Sequence, residues 1–143
     1  MQIRRLRMGD EESACEIANI FRSSQVSIDY MAALLADERN HLLCAFSEQR
    51  PVGYALGYEL QRIDGQGPMM LLYEIEVTET HRRRGIGRVL VQHLKRTCRE
   101  RGFAKMFVFT EESNTAAMAL YAAAGGERGA PDTVTFWYPG ERL

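Results

Sequence analysis

The feature that most constrains the fold is the stretch HRRRGIGRVLVQHL, residues 81–94, in which three arginines and two glycines precede a helix. The residues just before it, MMLLYEIEV, are apolar enough to form a largely buried strand. After the glycines, apolar residues recur at helical spacing from Ile86 to Cys98, with arginines on the opposite face. A strand, a short polar loop and an amphipathic helix in succession predict a sheet covered by helices.

Further elements are predicted on both sides of this unit. Strands are predicted over residues 2–7, 41–47, 52–62, 69–77, 103–109 and 133–139. Helices are predicted from Asp10, from an N-cap at Asp29, over residues 87–101, and after an N-cap at Asn114. The order β-α-α-β-β-β-α-β-α-β predicts one α/β domain over residues 1–143, with a mixed, mostly antiparallel sheet flanked by helices.

Composition disfavours several classes of protein. No apolar run approaches the ~20 residues that a membrane span requires, and the N-terminus lacks the apolar segment of a secretory signal. The three cysteines are widely spaced and form no Cys-x-x-Cys pair, and the three histidines show no ligand spacing. We therefore expect a cytoplasmic protein with no membrane association, no disulfide framework and no metal.

Charge is unevenly distributed along the chain. The net charge is only −1, but residues 82–105 hold nine of the eighteen Lys and Arg residues and a single acid, Glu100. The remainder carries eighteen acids against nine bases. One basic segment on an otherwise acidic chain suits two ligands of opposite charge, although a solvated helix face would have the same composition.

Residues 82–88, the arginine–glycine loop, have the properties of an anion site. A helix start presents unpaired backbone N–H groups, glycines allow close approach to an anion, and arginines add charge-assisted hydrogen bonds. The loop does not match the P-loop, because Arg88 and Val89 follow its second glycine. It does not match the dinucleotide fingerprint either, because Leu90 stands where the third glycine is needed.

The segment YEIEVTETHRRRGIGRVLVQHL resembles the acyl-CoA-binding signature of the GCN5-related N-acetyltransferase (GNAT) superfamily, and SNTAAMALYAAAG resembles its second motif. The order of predicted elements also matches that fold. The resemblance implies that the loop holds the pyrophosphate of acetyl-CoA, and that the pantetheine arm bonds to main chain between two splayed strands. The cofactor-binding residues it implies are Ile75, Val77, Arg82, Arg83, Arg84, Gly85, Ile86, Gly87, Arg88, Asn114 and Tyr121.

Three side chains are candidates for proton transfer. Glu74 and Glu76 lie two residues apart on a strand, so both project from one face. A carboxylate there could attract an acceptor ammonium and remove its proton, and Glu74 is preferred; pairing with structural arginines is the alternative. By resemblance, Tyr121 protonates the leaving thiolate and Asn114 contacts the cofactor. Core packing and helix capping are the alternative roles of these two residues.

A second similarity, to the type I aminoglycoside 3-N-acetyltransferases, rests on DYMAALL, AFSEQRPVGYAL and LYEIEVTETHRRRGIG. It implies 3-N-acetylation of an aminoglycoside. The acidic bias of residues 29–79, together with Glu111 and Glu112, favours a cationic acceptor. The residues expected to bind it are Glu74, Glu76, Glu111 and Glu112. The pair Gly125-Gly126 stands where the family often has Gly-Phe, and the short segment after it suggests an abbreviated terminal strand.

The sequence therefore predicts an acetyl-CoA-dependent N-acetyltransferase that acts by direct transfer in a ternary complex on the primary amine of a small cationic acceptor. An aminoglycoside fits best, and a polyamine, another small amine or a protein amine are the alternatives. A non-catalytic acyl-CoA sensor and a nucleic-acid-binding module are the rivals from other classes. Nucleic acid is disfavoured because the basic helix buries one apolar face. A homodimer paired through the last strand is a further hypothesis.

Overall fold

In the computed structural model, which describes residues 1–143, five strands form one sheet in the order β1-β2-β3-β4-β5. Neighbouring strands from β1 to β4 are antiparallel, and β4 and β5 run parallel. The strands are Gln2–Arg5 (β1), Asn40–Ser47 (β2), Arg50–Leu60 (β3), Met69–Val77 (β4) and Lys105–Phe107 (β5). This arrangement confirms the predicted mixed, mostly antiparallel sheet.

Four α-helices flank the sheet: Glu11–Arg22 (α1), Ile28–Ala36 (α2), Ile86–Glu100 (α3) and Thr115–Ala123 (α4). The predicted N-cap at Asp29 is wrong. The Ser27 hydroxyl accepts from the Tyr30 N–H at 3.1 Å, because α2 begins one residue before Asp29. Asn114 does cap α4, since its side-chain oxygen accepts from the Ala117 N–H at 3.1 Å. No helix combines the length and the apolar character that crossing a membrane requires.

Two apolar cores lie on opposite faces of the sheet. Because successive residues of a strand point to opposite faces, Leu43 packs with α3 whereas Leu42 packs with α1 and α2. The predicted apolar stripe of α3 is buried, and it comprises Ile86, Leu90, Leu94 and Cys98. Burial of this stripe holds the start of α3, and with it the arginine–glycine loop, against the sheet.

An extra residue in β4 determines which face its two glutamates occupy. The pairing with β3 skips Tyr73, which forms a β-bulge. Before the bulge, Met70 and Leu72 point into the core beneath α3. Strict alternation would send Glu74 and Glu76 to that same face. The bulge reverses the phase, so both carboxylates instead lie on the side of α1, where they meet an arginine of that helix.

Strands β4 and β5 separate after three paired residues. The parallel ladder joins Met69–Leu71 to Lys105–Phe107 and ends there. The second half of β4, which includes Ile75 and Val77, therefore has no strand partner on its β5 side. The predicted splay is present, and it leaves main-chain groups of β4 available to a ligand that bonds in the manner of an added strand.

The prediction of a sixth strand over residues 133–139 is wrong. No strand forms there, and the side chains of Phe136 and Trp137 are 79% and 86% exposed. The alternating sequence has β propensity, but that propensity takes effect only on a paired, half-buried surface. The neighbouring strand β5 is itself confined to residues 105–107 rather than the predicted 103–109, so it offers little ladder for another strand.

Candidate functional site

The arginine–glycine loop turns directly into α3 at Gly85. This residue is the N-cap, in the left-handed region with φ +78°, which glycine adopts without strain. Helix α3 begins at Ile86, one residue earlier than predicted. A Cβ added to Gly87 would come within 3.3 Å of a methyl group of Leu120, so this glycine allows α4 to lie close against the first turn of α3.

The arginines of this loop have no anionic partner within the protein. Arg82, Arg83, Arg84 and Arg88 are exposed, and none takes part in an ion pair. Only Arg82 is tethered, through a hydrogen bond from Nε to the Val77 carbonyl at 3.1 Å. The first turn of α3 contains no acidic residue. Unneutralised cations at a helix start favour binding of an external anion such as phosphate.

The two glutamates of β4 are bound to a cation supplied by α1. Arg22 Nη2 donates to Glu74 Oε2, and Arg22 Nε lies 3.4 Å from Glu76 Oε2. Arg22 Nε also donates to the Tyr54 hydroxyl at 3.3 Å, which in turn donates to Glu76 Oε2 at 3.2 Å. Pairing with an arginine, the structural alternative for these carboxylates, is therefore observed. One guanidinium still leaves this pair of carboxylates with an excess of one negative charge.

Tyr54 lies between these charges as a neutral hydrogen-bonding group. Burial raises the pKa of its phenol to about 12, so the hydroxyl keeps its proton at physiological pH. It can therefore accept from Arg22 and donate to Glu76 at the same time. Its ring packs against Phe21, with ring centroids 5.0 Å apart, and this contact ties the end of α1 to β3.

A cavity of about 350 Å³ opens beside Glu74, between α1, α2 and the sheet. Glu74 and Arg22 are its only charged lining residues. Glu111 and Glu112, predicted to bind the same acceptor, do not line it. They lie in the exposed turn before α4, where Glu112 Oε1 pairs with Arg128 Nη1 at 3.1 Å. The structure therefore separates the four predicted acceptor carboxylates into two places.

Tyr121 lies on the α3 side of the sheet, on α4, which contacts the arginine–glycine loop at Gly87. Its ring packs against the core beneath α3, and its hydroxyl makes no hydrogen bond within the protein. Burial raises the pKa of this phenol, which favours the protonated form that an acid catalyst needs. Asn114, seven residues earlier, is occupied as the cap of α4.

Sequence reasoning missed Arg22 and Tyr54, which hold the carboxylates, and the aromatic lining of the cavity. Arg22 is 52 residues from Glu74 in the chain, so no local pattern joins them. One usable signal was the presence of two carboxylates on an apolar strand, since such groups need partners. No three His, Cys, Asp or Glu side chains are grouped in a way suited to holding a metal ion.

Residues 6–125 of this chain match the sequence model of the acetyltransferase (GNAT) family. Ribosomal protein bS18-alanine N-acetyltransferase of Escherichia coli (strain K12) is 39% identical over 54 residues, which are 38% of this chain and 36% of that enzyme. The chain thus spans about a third of the length of the curated relatives it matches.

Solved structures show the same fold over nearly the whole chain. An aminoglycoside acetyltransferase from an uncultured soil metagenomic sample, in complex with sisomicin, superposes with a TM-score of 0.86 at 22% identity, covering 96% of this chain and 95% of that one. Ribosomal-protein-alanine N-acetyltransferase from Brucella melitensis biovar Abortus 2308 gives 0.75 at 21% identity, covering 97% and 99%. At these identities, the likeness establishes the fold.

Proposed function

The chain belongs to the acetyltransferase (GNAT) family, and from that premise we propose that it transfers the acetyl group of acetyl-CoA to the primary amine of a small cationic acceptor. The observation that carries the proposal is the arrangement around β4. Unpaired arginines lie at one end of a splayed strand, and two carboxylates beside a cavity lie on its other face. These two charge environments suit an anionic donor and a cationic acceptor.

On the donor side, the residues present fit the phosphates and the pantetheine arm of CoA. Arg82, Arg83, Arg84 and Arg88, with the amides from Gly85 to Gly87, would bind the pyrophosphate. The unpaired edge of β4 near Ile75 and Val77 would hydrogen-bond the pantetheine amides. The Val77 amide is suited to polarise the thioester carbonyl as an oxyanion-hole donor does. Acetyl-CoA, when bound, supplies the activated acetyl group.

In the transfer step, Glu74 would accept a proton from the acceptor ammonium, directly or through water, with Glu76 as the second candidate. The freed amine would form a bond to the acetyl carbonyl carbon while the carbon–sulfur bond breaks. The nitrogen, which carries a positive charge after the attack, would release its second proton to water. Tyr121 would donate its phenolic proton to the departing sulfur, so that the products are the amide and CoA thiol. Both side chains then exchange protons with solvent and return to their starting states.

For the acceptor, the likeness in fold to a sisomicin-bound aminoglycoside acetyltransferase supports an aminoglycoside as the first compound to assay. The partial identity to an enzyme named for a ribosomal-protein alanine supports a protein N-terminal amine as the second. A polyamine would satisfy the same carboxylates. The three cysteines are free thiols, and the proposal includes the cytoplasmic location expected from the sequence.

The proposal is tested by measuring thiol release from acetyl-CoA with an aminoglycoside, spermidine, small monoamines and a peptide that begins with alanine. We expect turnover with at least one of these amines, and Glu74→Gln should lower kcat at least about 100-fold. Glu12→Gln, an exposed carboxylate on the first turn of α1, is the matched control and should leave kcat unchanged. Tight CoA binding without any turnover would instead support a non-catalytic sensor.

A further inference from the structure

The walls of the cavity beside Glu74 are almost entirely apolar. They are built from side chains of α1, α2, β2 and β3, among them Ala14, Ile17, Met31, Leu34, Leu42 and Leu56. Apart from tyrosine hydroxyls, the only polar lining side chains are Arg22, Ser24 and Glu74. A volume of about 350 Å³ is sufficient for a compact group such as an aromatic ring with a short linker.

Tyrosine side chains line the cavity together with Glu74. Tyr58 and Tyr73 pack at a tilt, with ring centroids 5.4 Å apart, and Tyr30 also lines the cavity. Tyr30 and Tyr73 are both 61% exposed, which places them where the cavity meets solvent. Burial, assisted by the nearby charge of Glu74, raises the pKa of Tyr58, so its hydroxyl stays neutral. Neutral aromatic rings beside one carboxylate form a favourable environment for an ammonium group.

Resting on the proposed function, we infer that this cavity receives the apolar body of the acceptor. The preferred acceptor would then be a primary amine joined by a short linker to an aromatic or similarly compact apolar group. Its ammonium would replace the Arg22 guanidinium at Glu74. The Arg22 side chain is 51% exposed and belongs to the last residue of α1, so it can move into solvent when the amine enters.

The charge of the cavity argues against a polycation as the best acceptor. Only one carboxylate lines it, and that carboxylate can neutralise one ammonium. Additional ammonium groups would find no second carboxylate in the lining, and sugar hydroxyls would find only tyrosine hydroxyls and a few other polar groups, so burying either against the apolar walls is costly. A single charge at one end and an apolar group at the other matches the observed distribution. Among small cationic acceptors, the inference thus ranks an amphipathic monoamine above a polyamine or an aminoglycoside.

The test compares acceptors that share one ammonium group and differ in their body. We expect kcat/KM for 2-phenylethylamine to exceed that for ethylamine by about 10- to 100-fold, the gain typical of burying a phenyl-sized group. It should also exceed kcat/KM for spermidine and for an aminoglycoside. A peptide with an N-terminal phenylalanine carries the same aromatic group and amine, so its kcat/KM shows whether the acceptor is a small free amine or the N-terminus of a polypeptide. Equal values for ethylamine and 2-phenylethylamine would overturn the inference, as would a preference for either polycation.

A variant that fills the cavity provides an independent check. Ala18 lines the cavity from α1, whereas Ala33 is exposed on α2 and does not line it. Ala18→Leu should lower kcat/KM for 2-phenylethylamine about tenfold and leave that for ethylamine unchanged. Ala33→Leu should alter neither. Equal losses for both amines in Ala18→Leu would contradict an acceptor body in this cavity.

Binding measured without turnover separates failure of this inference from failure of the proposed function. Titration of the unmodified protein with 2-phenylethylamine, followed by NMR of the tyrosine rings, reports on the cavity even if no amine is acetylated. We expect shifts at Tyr58 and Tyr73 that 2-phenylethanol, which lacks the ammonium, produces only at much higher concentration. Absence of such shifts at saturating amine would overturn the inference, while turnover with another acceptor would leave the proposed function intact.

Discussion

The two sides of β4 differ in how their charges are balanced. On the side proposed to bind the donor, four arginines surround the start of α3 and none has an anionic partner in the protein. On the side proposed to bind the acceptor, Glu74 and Glu76 share the guanidinium of Arg22, and Glu76 accepts a hydrogen bond from Tyr54. The first region exposes uncompensated charge to solvent, whereas the second already contains a cation.

The difference shows how each region can respond to a ligand. An anion that binds the arginine–glycine loop forms new ion pairs and breaks none within the protein, so no lost internal pair offsets the gain. Under the proposed function, a cationic acceptor would exchange places with Arg22, so only the difference between two similar ion pairs would be gained at Glu74. Acceptor affinity would then come mainly from other contacts, such as those with the apolar cavity beside the carboxylate.

The largest effect is expected from removing the unpaired cations. The triple variant Arg82→Ala, Arg83→Ala, Arg84→Ala should weaken CoA binding at least about 100-fold, because charge-assisted hydrogen bonds to phosphate are lost. Thermal stability should change little, since only Arg82 makes an internal hydrogen bond. Isothermal titration with CoA, alongside thermal denaturation, measures both quantities.

Arginines elsewhere on α3 provide the control for this variant. Arg96 and Arg99 are exposed farther along the same helix, so the double variant Arg96→Ala, Arg99→Ala lowers the net charge without altering the loop. Its affinity for CoA should fall less than about threefold, the scale of screened long-range attraction. If both variants lost affinity equally, general electrostatic attraction rather than a built anion site would hold the donor.

A smaller effect is expected at Tyr121. Replacing its hydroxyl in Tyr121→Phe should lower kcat about 10- to 100-fold, because the leaving sulfur loses its proton donor, and CoA affinity should be retained. Burial raises the pKa of this phenol, so the protonated form persists to pH values above the reference of about 10. Alkaline loss of kcat from this group should therefore have its midpoint above that pH. An unchanged kcat in Tyr121→Phe would assign the ring to core packing alone.

Much of the fold was predictable because its signals are local. The apolar stripe of α3, the cap at Asn114 and the turn chemistry between strands depend on residues within a few positions of one another. The last strand was not predictable for the opposite reason. Residues 133–139 have the alternation of a strand, yet strand formation depends on a partner elsewhere in the fold, and β5 is only three residues long.

The candidate site likewise has one part with local sequence signals and one part that depends on contacts between distant residues. The arginine–glycine loop could be predicted because its residues are contiguous. The acceptor side could be predicted only in part, because a bulge at Tyr73 sets the face on which Glu74 and Glu76 lie. The sequence of β4 contains no local signal that predicts a bulge at this position. The contact with Arg22 depends in turn on where α1 ends relative to β4, which is a tertiary property.

The smallest predicted effect concerns Arg22 itself. Replacing it in Arg22→Gln removes the internal competitor and raises the excess negative charge beside the cavity from one to two. We expect KM for a monoamine acceptor to fall about three- to tenfold at low ionic strength, with kcat changed less than KM. The gain should shrink as salt is added, because the pair is half-exposed and open to screening.

The Arg22 variants distinguish two roles of this residue: competing with the acceptor for Glu74, or holding Glu74 and Glu76 in position. If Arg22 mainly holds the carboxylates in position, Arg22→Gln should raise KM and lower kcat together, because Glu74 would lose its orientation. Arg22→Lys retains the charge but cannot bridge both carboxylates with a planar fork. If Arg22 acts mainly as a competing cation, Arg22→Lys should behave like the original enzyme. If Arg22 mainly holds the carboxylates in position, Arg22→Lys should behave like Arg22→Gln. A fall in KM in Arg22→Gln that salt abolishes, with donor affinity unchanged, would establish that the acceptor displaces an internal cation.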